Sequence, residues 1–278
     1  AAAPFMLTEG NSQTTSQSAP PARASAAANE CLRLKDNRPS SWDIGEEKHR
    51  QAMQRWTDIC QQAVTAEPAN PRLRIALAHA LFSIDKRPDA VAQLRAAAAT
   101  GDADALVEIY EWHKSWERGD VDRVQLVDRK EAGDALRKAA ELGHPFAMHR
   151  LAVLLDRGEI VKRDNAEAIR WAERSLQKPD KDWRPEDIAV LLGRLLTKSD
   201  KPEDRARGRD LLERLSKAGR SDARAYLAVS IRADDAARAR TLLEDAMRGA
   251  TGAALPPLAD MLINGEGGQA DPARALKL

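Results

Sequence analysis

The chain has 278 residues with 44 Lys and Arg against 43 Asp and Glu, a formal net charge of +1, so no global field draws nucleic acid or an anionic membrane to it. Apolar residues make up 43% but aromatics only 4%, and 31% is charged, a composition that suits closely packed amphipathic helices with solvated outer faces. No run of about 18 apolar residues is present to span a bilayer, and no basic segment followed by an apolar core opens the chain.

A start at Ala1-Ala2-Ala3-Pro4 without methionine would fit a processed protein or an excised fragment. Residues 1–28 are mostly Ala, Ser, Gln, Thr and Pro, with one short apolar cluster at Phe5, Met6 and Leu7. Such a stretch buries too little surface to offset its ordering entropy and reads as a disordered linker or tail. Residues 29–70 read as an N-terminal helical cap: a short helix over Asn29–Lys35, a turn at Pro39 and Trp42, then a helix over Glu46–Ala66. That second helix carries Met53, Trp56, Ile59, Cys60 and Ala63 on one side. Cys31 and Cys60 are the only cysteines and flank the pair. Bridged, they would staple it and imply an oxidising compartment, periplasmic or extracellular; as two buried thiols they would fit a cytoplasmic protein.

From Glu67 the punctuation becomes regular. Pro68, Asn70 and Pro71 interrupt the helical pattern, Leu77, Ala78 and Leu81 mark a new helix, and Ala90, Leu94 and Ala97 mark its partner. A slot residue then closes each second helix, at Gly101, Gly143, Pro179, Gly219 and Ala250. Four residues beyond four of these slots sit Ala105, Ala147, Ala223 and Ala254, and eight beyond sit Ile109, Leu151, Leu227 and Leu258. The Pro179 unit joins the series at Leu192 and Gly193 if Asp180–Arg184 is an insertion. The fullest copy of the connecting loop is Gly158-x-x-Val161-x-x-Asp164-x-x-x-Ala168-x-x-Trp171, in which a glycine ends one helix and Asp164 caps the next, with Ala168 and Trp171 on one face. A second copy runs Gly265-x-Gly267-Gly268-x-x-Asp271-x-x-x-Ala275.

On these marks the chain resembles the Sel-one-like branch of the tetratricopeptide superfamily over about residues 67 to 278. The resemblance implies an all-α fold, a right-handed superhelical solenoid of antiparallel helix pairs filling residues 71–278, with an incomplete last repeat. Two units depart from the pattern: Ala233–Ala239 is compressed, and Arg118–Arg129 is long and lacks the glycine-valine turn. No polar cap is visible at Leu278, so the natural chain is expected to continue or to be capped by another element.

Nothing in the pattern assembles catalytic or metal chemistry. The histidines, His49, His79, His113, His144 and His149, lack metal-ligand spacing. No Gly-x-Ser-x-Gly occurs, and Gly265-Glu-Gly-Gly-Gln has neither the strand nor the lysine of a phosphate loop. The expectation is a protein without cofactor or catalytic residues. Interleaving of Arg205, Arg207, Arg209 and Arg214 with Glu203, Asp204, Asp210 and Glu213 reads as a salt-bridged helix face.

Solenoids of this kind bind a protein or peptide on the concave surface lined by their first helices. Counting from the apolar marks, His79, Glu111, Val153, Arg194, Val229 and Asp260 face inward, followed one turn later by Phe82, Lys114, Asp156, Thr197, Arg232 and Ile263. Trp112 and Trp116, one turn apart before the long insertion, could anchor a partner or pack the insertion. The expected function is a non-catalytic bacterial scaffold or adaptor. The alternative is a regulatory or substrate-recruiting module of a longer polypeptide with an enzymatic domain, an expectation favoured by the alanine-serine-proline tail and the end at Leu278. The Cys31 and Trp42 opening is also similar to repeat regions behind caspase-like domains in bacterial proteins.

Overall fold

The computed structural model describes residues 22–37, 45–117, 127–178, 184–249 and 251–278, with the side chains of 22–25 and 115–117 outside that description. The described residues form fourteen helices and no strand: α1 (Ala22–Asp36), α2 (Glu46–Ala66), α3 (Pro71–Ser83), α4 (Arg87–Ala98), α5 (Ala103–Glu117), α6 (Arg129–Glu141), α7 (Pro145–Arg157), α8 (Asn165–Gln177), α9 (Pro185–Thr197), α10 (Pro202–Lys217), α11 (Ser221–Ile231), α12 (Ala236–Arg248), α13 (Leu255–Asn264) and α14 (Pro272–Ala275). Two compact units divide the chain, Ala1–Gln93 and Leu94–Leu278.

In the first unit α1, α2 and α3 pack against one another. Cys31 and Cys60, both fully buried, form a disulfide with an S–S distance of 2.03 Å that joins α1 to α2. Beside it the indole of Trp56 donates from Nε1 to the Cys31 carbonyl at 3.1 Å. Helix α1 begins at Ala22, within the stretch expected to be a tail, because alanine at 22, 24, 26, 27 and 28 is the best helix former and Ala28 and Cys31 give the helix a buried side. Phe5, Met6, Leu7, Pro39 and Trp42 lie outside the described residues. Helix α3, expected to open the solenoid, belongs to this unit. Its buried residues Leu73, Ile75, Ala76, Leu77, Ala78, Ala80 and Leu81 leave little polar surface, so it needs neighbours on several sides.

The second unit is a series of helical hairpins, α5 with α6, α7 with α8, α9 with α10, α11 with α12, and α13 with α14, and each second helix packs on the next first helix. Small residues set the separations. Ala105, Ala147, Ala223 and Ala254 are fully buried. At the α9/α10 crossing a Cβ on Gly208 would fall 2.8 Å from the Gly193 carbonyl oxygen and from the Thr197 nitrogen, so only hydrogen fits between the backbones there.

The two full loop copies share one hydrogen-bonding scheme. Gly158 and Gly265 end α7 and α13 in the left-handed region, at φ 72° and 69°, where a side chain would be strained. Asp164 and Asp271 then tie the loop back through their amides to Leu155 and Leu262 at 3.1 and 2.8 Å. Their carboxylates accept the Glu167 and Arg274 amides at 2.8 and 2.9 Å, capping the next helix. Between α11 and α12 the compressed connection keeps the cap, at Asp235, and drops the loop.

Candidate functional site

The first helices of the second unit, α5, α7, α9, α11 and α13, are joined by polar contacts at each junction. Between α5 and α7, His144 Nε2 lies 3.1 Å from Asp104, and the Arg150 guanidinium sits over the Tyr110 and Phe146 rings at 5.9 and 5.6 Å. Between α7 and α9, Asp156, with its side chain only 3% exposed, receives Arg194 and Lys198, each at 2.8 Å. Arg194 also lies over the Tyr226 ring of α11 at 5.1 Å. Asp187 of α9 takes Arg220, the residue before α11, at 2.8 Å. Burial pushes the Asp187 carboxyl up, but hydrogen bonds from Arg220 and Arg184 outweigh it and hold the group below the usual carboxylate range. Between α11 and α13, Arg232 reaches Asp260 at 2.6 Å and the following loop's Glu266 at 2.7 Å.

These contacts change the reading of two expected partner residues. Arg194 and Arg232 spend their charge on carboxylates one helix away, so they hold adjacent repeats together before they can meet a ligand. Counting along one helix misses this because the acids come from the neighbouring repeat. The apolar positions of the same face stay open: Val229 is 50% exposed and Ile263 is 54% exposed. Val153 is half-buried.

The other expected residues are distributed as follows. His79 and Phe82 lie on α3 in the first unit, both half-buried, with the Arg87 guanidinium 5.6 Å from the Phe82 ring centre. Glu111, Trp112 and Lys114 are half-buried on α5, next to buried His113, whose Nδ1 lies 3.0 Å from the Val127 carbonyl. Trp116 is in the last turn of α5, and its side chain falls outside the described residues. Gly143, Ala147, Leu151, Gly219 and Leu227 stand at the hairpin joints and in the core between them. His149 is buried on α7, and burial, with the Arg150 charge, holds its imidazole down to about 4, a neutral core group.

On the opposite row, the second helices, a regular ladder escapes the sequence reading. The residue six places before each slot pairs with the residue twelve places before the next: Arg95 with Glu131, Arg137 with Glu167, Glu173 with Arg207, Glu213 with Arg238. Glu244 with Arg274 continues it. Arg207, expected to pair within its own helix, belongs to this ladder, whereas Arg214 does pair within α10, with Asp210 at 3.1 Å. Each partly exposed rung contributes only about 0.2–1 kcal/mol. Trp171 sits under it, 7% exposed, donating from Nε1 to Glu167 at 3.1 Å and covered by Arg174 at 4.5 Å. The Arg137 hydrogen bond holds the Glu167 carboxyl below its ordinary value.

No group of three His, Cys, Asp or Glu side chains able to hold a metal occurs among the described residues, and no helix there is long and apolar enough to cross a membrane. Residues 128–144, 145–180 and 258–278 match the model of the Sel1 repeat. The last two segments contain the two full loop copies. Among solved structures the chain is similar to a Sel1 repeat protein from Oxalobacter formigenes, at 19% identity over 90% of this chain and 94% of that one, with a TM-score of 0.54. It is also similar to a protective antigen of uropathogenic Escherichia coli displaying an SLR fold, at 20% identity over 91% of this chain, with a TM-score of 0.53. The chain spans about half that antigen's length, 53%. No curated protein matches.

Proposed function

We propose that this Sel1-like helical repeat protein is a non-catalytic scaffold that holds a protein or peptide partner on the row of first helices of its second unit. The observation that carries the reading is the pair Val229 and Ile263, two aliphatic side chains about half exposed on adjacent first helices where a folded chain gains by covering them. Around them the polar groups are already matched, Arg194 with Asp156 and Arg232 with Asp260 and Glu266, so a partner meets a surface with a fixed shape. The near-zero net charge favours a protein partner over a polyanion. The Cys31–Cys60 bridge supports a periplasmic or extracellular setting.

The test compares capture by immobilised protein from an extract of the source organism. The Val229→Glu, Ile263→Glu double variant should lose a protein that the parent retains, while its thermal melt stays unchanged. A Thr241→Glu control on the exposed side of α12 should keep it. Equal capture by parent and double variant would remove the first-helix row as the binding face.

A further inference from the structure

Each junction of the first-helix row carries a polar pair, His144 with Asp104 at α5/α7 included. At the α5/α7 junction Arg150 has two aromatic rings for company, Tyr110 and Phe146, and no carboxylate pairs with it among the described residues. Its Nε is buried and meets no acceptor. Rings at 5.9 and 5.6 Å attract the cation through their faces but accept no conventional hydrogen bond, so they leave its N–H donors for another group. That buried Nε is out of a ligand's reach, so an incoming anion would meet the terminal guanidinium nitrogens of this half-buried side chain. The adjoining junction has the same sign, since Asp156 carries one negative charge against the two positive charges of Arg194 and Lys198.

We infer that Arg150 receives a side-chain carboxylate of an extended acidic peptide whose following apolar side chain covers Val229. This rests on the first-helix row being the binding face and adds what that face selects. The spacing follows from the helices between: α7 packs on α9 and α9 on α11. Two such steps span about 16–20 Å, which an extended chain covers in about six residues. The partner therefore carries Asp or Glu and, about six residues along, a Leu, Ile or Val.

The experiment uses the full chain and fluorescent octapeptide pools, acetylated and amidated, with Glu first and Leu seventh and the other positions varied among neutral residues. A second pool has Gln first. A third has Gln first and a free C-terminal carboxylate. By anisotropy the Glu pool should bind about tenfold more tightly than the Gln pool, the effect of one charge-assisted hydrogen bond. Arg150→Gln should abolish that preference and Arg150→Lys should keep part of it, with far-UV helicity unchanged. Equal binding of the Glu and Gln pools by the parent overturns the role of Arg150 whatever the variants do, and if Val229→Glu still weakens both pools, the face itself survives. Tighter binding of the free-carboxylate pool than of the Glu pool also overturns it, in favour of a chain terminus. Failure of every pool to bind overturns the peptide specificity; the capture comparison with the double variant then decides the face separately.

Discussion

Replacing Trp171 by alanine is expected to cost about 3–5 kcal/mol, the range for deleting a buried large aromatic and leaving its cavity. Three contacts would go together: the buried ring at 7% exposure, the indole hydrogen bond to Glu167, and the cation–π contact with Arg174. Magnitudes identify the first as dominant, because the hydrogen bond contributes about 1 kcal/mol and a surface cation–π contact about 0.5–1 kcal/mol. Trp171→Phe separates them. It keeps much of the packing and loses the N–H donor, so it should cost less than half as much. Urea melts of the two variants check this, and an unchanged midpoint for Trp171→Ala would contradict the placement of α8 in the core.

Removing the disulfide is the second large effect. Cys31 and Cys60 are separated by 29 positions, and closing a loop of that size restricts the unfolded chain by about 3–4 kcal/mol in the chain-entropy account. The Cys31→Ala, Cys60→Ala variant should lose stability by that amount in α1 and α2, read as earlier loss of the Trp56 fluorescence signal relative to a Trp171-reported signal. Thiol titration of unfolded, unreduced protein should find almost no free thiol. Two reactive thiols per chain would refute the bridge.

What the sequence made readable was its punctuation. Gly158, Asp164, Gly265 and Asp271 announce the end of one helix and the cap of the next by chemistry that acts within a few residues, so one copy suffices to read it. The start of α1 was hidden because an alanine-rich stretch suits a helix and a polar tail alike until it is known whether Ala28 and Cys31 have something to pack on. The contacts between repeats were harder still. In the second-helix ladder the sign reverses midway, Arg137 with Glu167 but Glu173 with Arg207, so aligning the repeats by residue type blurs a position that aligning by opposite charge reveals. Arg194 and Arg232 looked like ligand-facing charges for a related reason: their partners are a whole repeat away in the chain. Arg150 carried no sequence mark at all, since its distinction is a buried Nε without an acceptor beside the Tyr110 and Phe146 rings.

The claim that the first-helix row carries the partner is tested most directly by hydroxyl-radical footprinting of the protein alone and with its captured partner. The account predicts that Val229, Ile263 and Tyr226 lose reactivity on binding while Leu142, 53% exposed at the end of a second helix, does not. Protection of Leu142 with Val229 and Ile263 unchanged would contradict it.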